Sequence, residues 1–326
     1  MTQPPAQTEV PPPGPADPGP VAAPATPGGV AGRLLRYRAA LAGVGERRLL
    51  LVAVVLFVVA SAVGAANLPP VETSIRWPVL LLLPLVGVPA TVAVNAWEYG
   101  VTARLLGHRV PPADAARVSV LSTAANLLPI PGAVLVRSRA LRQRGTGIGA
   151  ALSITTAIGV AWVGVNAVLA GGLQLVAGEP PLGAAVLAGG LVVLVLAGLW
   201  AARTRGVVLR RADVGTVLVV EVVAVLVAAA RLQLALWGLG YSPEVSQSLS
   251  LSLAGSLGSA VGFLPAGLGI REVLAAGIGP LVGLPAAVSL VATAVDRLLG
   301  LVVLAGITAV LVATGAGTPR LEEELQ

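Results

Sequence analysis

GSAVGFLPAGLGIRE, residues 258 to 272, decides how this chain is read. A helix arriving along Leu249 to Leu264 cannot run cleanly through Pro265, which lacks an N–H and crowds the preceding turn. Gly267 and Gly269 free the backbone to change direction, and Arg271 and Glu272 then bring opposite charges into apolar surroundings. At membrane depth a broken backbone is tolerated only inside protein or along a cavity, so the stretch predicts a buried site.

The composition places the break in a membrane. Hydrophobic residues make up 56% of the 326, charged residues 11%, and mean hydropathy is +0.90. Soluble domains carry about 25% charged residues. The basic excess comes from 21 arginines and no lysine. These arginines sit in short clusters between apolar runs, which suits a membrane surface and not nucleic acid. Zero cysteines exclude disulfides, thiolate nucleophiles and cysteine metal sites, and the single histidine, His108, leaves no zinc site and reads as plain loop. No cofactor and no metal are expected.

Residues 1–32 are rich in Pro, Ala and Gly and read as a disordered cytoplasmic tail. Residues 33–313 read as one integral membrane domain, and 314–326 as a short polar tail. Apolar runs cover Leu49 to Ala66, Pro78 to Ala96, Val118 to Val136, Ile148 to Ala170, Leu182 to Ala202, Val214 to Gly238, Leu249 to Leu264, a short piece Val273 to Val282, and Ala286 to Ala313. Arginines flank the third run on both sides, Arg104, Arg109 and Arg117 before it and Arg137, Arg139, Arg142 and Arg144 after. Both flanks therefore belong on the cytoplasmic side. A re-entrant hairpin satisfies this, and Asn126, Pro129, Pro131 and Gly132 supply its break.

Carried along the chain, the same rule gives an all-α polytopic membrane protein: about six spanning helices, two re-entrant broken-helix hairpins, and both termini cytoplasmic. The hairpins resemble each other. NLLPIPGAVLVR (126–137) and GFLPAGLGIR (262–271) share a Leu-Pro, a glycine and a closing arginine, and each follows a run of small residues fit for close helix packing. One hairpin from each side is the pattern of an inverted repeat, which sets a binding site near the midplane.

An ionised side chain at the bilayer centre costs about 2.5–3.5 kcal/mol on insertion scales, yet several are present. Glu221 and Arg231 share a helix but lie about 15 Å apart along it, too far to pair. Asp296 and Arg297 are adjacent and point about 100° apart, so each must find its own partner. Two readings stay open for Glu221, Arg231 and Asp296: mutual neutralisation that fixes helix packing, or the lining of a substrate path. Arg271 follows the break and suits an anion such as phosphate through its planar fork. Glu272, in the first turn of the same half-helix, is accounted for by the helix dipole. Arg137 is the first hairpin's counterpart, although orientation alone explains it. Glu98 is expected at the interface, paired with Arg104.

Enzyme chemistry finds no constellation here. No Gly-x-Ser-Gly element accompanies the lone histidine, and Asp114, Asp213 and Asp296 are scattered rather than clustered for a divalent metal. The expectation is a non-enzyme.

NLLPIPGAVLVRSRALRQRG (126–145) and FLPAGLGIREVLAAGIGPLVGLPAAVSLVATAVDRLLG (263–300) resemble the flippase-like integral membrane family, the transmembrane region of lysylphosphatidylglycerol synthases. The resemblance covers roughly Arg47 to Val312 and matches Pro265, Gly267, Gly269, Arg271 and Glu272 in the late motif and Pro129, Gly132 and Arg137 in the early one. It implies movement of a phospholipid or lipid-linked molecule between leaflets of a bacterial cytoplasmic membrane. The full synthases continue into a soluble aminoacyl-transferase domain, whereas the last apolar run here is followed by the short polar tail 314–326. The candidate substrate-binding set is Pro265, Gly267, Gly269, Arg271, Glu272, Arg137, Glu221, Asp296 and Arg297. The alternative is a non-transporting membrane partner of an envelope lipid or glycan enzyme.

Overall fold

The computed structural model describes residues 55, 58–59, 61–67, 75–125, 132–207, 210–260 and 269–313. The chain divides into two units, Met1–Gly45 and Glu46–Gln326, and the first lies outside the described residues. So do the expected boundary at 32/33, half of the first apolar run, and the tips of both expected hairpins at 126–131 and 261–268.

The second unit is all helical where described. In chain order the helices are α1 (Trp77–Leu105), α2 (Pro112–Ala125), α3 (Gly132–Arg142), α4 (Ile148–Val176), α5 (Pro180–Arg203), α6 (Arg211–Gly238), α7 (Val245–Ala260), α8 (Ile270–Leu281) and α9 (Ala286–Ala313). Of these, five are long and apolar enough to cross a membrane: α1, α4, α5, α6 and α9. They match five of the six spans read from the sequence; the sixth, the run at 49–66, is helical over 61–66 and lies partly outside the described residues. The protein is a polytopic all-α membrane protein.

Helices α2, α3, α7 and α8 have 14, 11, 16 and 12 residues. At 1.5 Å per residue they reach about 17–24 Å, short of the roughly 30 Å hydrocarbon core. They form two antiparallel hairpins. In the second, Gln247 at the start of α7 donates to the carbonyl of Val282 after α8, at 2.9 Å. At the other end of this hairpin, Arg271 at the start of α8 donates to Ser259 Oγ near the end of α7. In the first hairpin, Arg144 beyond α3 reaches Asp114 at the start of α2, at 3.1 Å. There the start of α3 abuts the end of α2 so closely that a Cβ on Gly132 would stand 1.9 Å from the Ala125 carbonyl oxygen.

The packing partners recur along the chain. Helix α1 packs on α2, α2 on α3, and α3 on α4; α6 packs in the same way on α7, α7 on α8, and α8 on α9. Across the halves α7 lies against α4 as α2 lies against α9, and α1 and α6 touch each other. Helix α5 connects the two sets and packs on α4, where Gly164, Gly171, Gly183 and Gly190 let the backbones meet. Its other faces carry Leu191, Val192, Val195, Leu196 and Leu199 outward, as a lipid-facing helix requires.

Candidate functional site

Helix α1 is not uniform. Pro84 and Pro89 cannot donate backbone hydrogen bonds, and the helix widens into a π-turn over Leu83–Gly87. Gly87 at its end lies against α6, where a Cβ would stand 2.9 Å from Cγ of Arg231. Arg231 is thereby held between helices. Its Nε donates to Asp296 Oδ1 of α9 at 2.9 Å, its Nη1 to Thr91 Oγ1 of α1 at 3.0 Å, and its Nη2 to the Asp296 carbonyl at 3.3 Å.

Asp296 and Arg297 do find separate partners, as the angle between them requires. Arg297 Nη1 donates to Glu272 Oε1 at 3.1 Å, with side chains 6% and 0% exposed. The second oxygen of Glu272 accepts the Gly269 backbone N–H at 2.9 Å. Gly269 has φ 84°, the left-handed region that glycine enters freely, and its N–H would otherwise be an orphan at the start of α8. Glu272 thus fixes the hairpin's second arm to α9 and shapes its entry, a larger role than a dipole contact.

Arg271 belongs to the same cluster. It stacks on Gly258, where a Cβ would meet its Cγ at 2.5 Å, and bonds Ser259. Its Nε is buried with no hydrogen-bond partner among the described residues. Arg231, Glu272, Asp296 and Arg297 act on it electrostatically. The cluster therefore holds three arginines against two acids, one positive charge in excess.

A second cluster lies further along the same two central helices. Arg137 of α3 donates to Glu98 Oε1 of α1 at 2.5 Å, with side chains 12% and 14% exposed. This corrects the pairing of Glu98 with Arg104. Arg104 is exposed, and six residues along a helix turn two side chains well apart. Arg137 is likewise more than an orientation signal. Beside this pair stands Glu221 of α6, 1% exposed, with neither carboxylate oxygen hydrogen-bonded among the described residues. Glu98 and Glu221 line one void with Val101, Ile158, Val217 and Val220, and it has no room for a water molecule. This cluster has two acids against one arginine, an excess of one negative charge.

The candidate residues thus fall into two groups. Gly269, Arg271, Glu272, Asp296 and Arg297 come together at α8 and α9; Arg137 and Glu221 come together with Glu98 on the other side; Pro265 and Gly267 lie outside the described residues. Seven residues of α1 separate Thr91 from Glu98 and ten of α6 separate Arg231 from Glu221, so the groups stand about 10–15 Å apart along the helix axes. Sequence reasoning misses Glu98 and Thr91 as members. It also misses the polar seam between α4 and α7, where Asn166 bonds Ser252 and Ser256 at 3.0 and 3.3 Å and Gln174 bonds Ser250 at 2.8 Å. His108 reaches Thr146 at 2.7 Å in the loops outside both groups.

No curated protein and no solved structure matches the chain. The model of the lysylphosphatidylglycerol synthase TM region matches residues 47–307, most of the chain, and the protein belongs to that family of membrane domains.

Proposed function

We propose that the protein moves an anionic or zwitterionic lipid, or a lipid-linked molecule, between the leaflets of a bacterial cytoplasmic membrane. The family points to a membrane role connected with lipid. One observation carries the finer reading. Among the described residues Arg271 is the cation that its cluster leaves unneutralised and its Nε lacks a partner, and it stands in the first turn of α8, at the hairpin end of that helix. An arginine fork there, with the positive end of a short helix behind it, suits a phosphate headgroup. Helix hairpins that pack on one another's halves in a repeated pattern are the parts that rock in alternating access.

Proteoliposomes carrying fluorescent phospholipids test this. The purified protein should exchange labelled lipid between leaflets faster than protein-free vesicles, and Arg271→Ala should lose most of that acceleration while Arg271→Lys keeps part. Exchange no faster than in empty vesicles across several headgroups, together with a stoichiometric partner co-purifying from native membranes, would replace this reading with that of a non-transporting partner. Normal exchange by Arg271→Ala would remove the site assignment alone.

A further inference from the structure

The excess negative charge of the second cluster, at Glu98 and Glu221, has no role in holding a lipid phosphate. Among the described residues Glu221 is one of the largest fully buried side chains, on a spanning helix, with no hydrogen bond to either carboxylate oxygen. Among the described residues its surroundings come from neighbouring helices and from α6 itself. Glu98 of α1 and Arg137 of α3 are the charged groups that act on it. Helix α4 contributes Ile158, and α6 itself contributes Val217 and Val220. Helix α7 carries no titratable residue, and Asp296 of α9 is bound to Arg231.

Arg137 can neutralise one carboxylate and already serves Glu98. A second bare carboxylate there would share one guanidinium with Glu98 and have no room for water beside it, and a buried acid in that position takes up a proton instead. We propose that Glu221 and Glu98 form a proton-binding site, two carboxyls that hold one proton between them with Arg137 as the counter-charge. With Arg137 on Glu98, the proton resides on Glu221. Departure of that proton to water leaves a carboxylate that competes with Glu98 for the guanidinium, drawing α3, the second arm of the first hairpin, towards α6. Return of a proton to either carboxyl restores the neutral cluster. The proton is taken up and released unchanged, and no other group is oxidised or transferred.

The proton site stands on the geometry of these three residues. Its coupling to lipid movement rests on the translocator reading, and would make a proton gradient the energy source. Two measurements separate the claims. Infrared spectra of the full chain in nanodiscs at neutral pH should contain the C=O stretch of a protonated carboxyl that shifts in heavy water. Glu221→Gln should remove it. A wild-type spectrum without that band overturns the proposal whatever the transport result, and so does a band that survives both Glu221→Gln and Glu98→Gln. The wild-type spectrum alone decides the matter if a variant fails to fold. In proteoliposomes, an imposed pH gradient should accelerate lipid exchange by the wild type, and Glu221→Gln should lose that response. A wild type that exchanges lipid but ignores the gradient overturns the coupling. A wild type with the carboxyl band and no lipid exchange leaves the proton site standing and defeats the translocator reading.

Discussion

Glu272 and Arg297 meet at 3.1 Å between α8 and α9, both nearly free of solvent. Because the other oxygen of Glu272 caps Gly269, one side chain ties the hairpin's entry to a spanning helix. Removing the acid takes its carboxylate partner from a buried guanidinium. Glu272→Ala should cost about 3–5 kcal/mol of unfolding stability, the range for breaking one side of a buried pair. Replacing both partners by Met should cost less than the single change, since no charge is then left without its partner. Unfolding in mixed micelles, followed by circular dichroism, measures both.

Arg231 joins three helices, so its contacts should not behave independently. A double-mutant cycle with Arg231→Gln and Asp296→Asn should give an interaction energy of about 0.5–3 kcal/mol, and Thr91→Val should enlarge the loss in the wild type more than in Arg231→Gln. Gly87→Ala should erode the same coupling without touching either charge. Its Cβ would stand 2.9 Å from the Arg231 stem and push it off Asp296. Additive losses across the cycle would refute this account of Arg231.

The sequence announces its architecture because breaks and arginine clusters are local signals. Pro129 and Pro131 with Gly132, and Pro265 with Gly269, locate both hairpins, and the arginines on either side of the first demand that it turn back. Partner choice is not local. Spacing along one helix rightly separates Asp296 from Arg297 and Glu221 from Arg231, yet it suggests Arg104 for Glu98, when the partner is 39 residues away on α3. Nor could composition tell that four arginines and four acids divide into one cluster lacking an acid and another lacking a base. That division depends on which faces of α1 and α6 oppose α3, α8 and α9, a property of the packed bundle.

Gly171 and Gly172 are neighbours with opposite environments, and they make a stringent test of how α5 is attached. A Cβ on Gly171 would stand 2.4 Å from the Leu187 backbone nitrogen and 2.8 Å from the Gly183 carbonyl oxygen, neither of which can swing away as a side chain can. Nothing lies within 4 Å of a Cβ on Gly172. Gly171→Ala should therefore force α4 and α5 apart and destabilise by about 1–3 kcal/mol, the usual cost of overpacking. Gly172→Ala should be neutral or stabilising by about 0.5–1 kcal/mol, since alanine is the better helix former. Because α5 packs on α4, the Gly171 variant should also expose the 177–179 turn to protease before the remainder of the unit. Equal losses for the two variants would mean that these helices do not meet at Gly171.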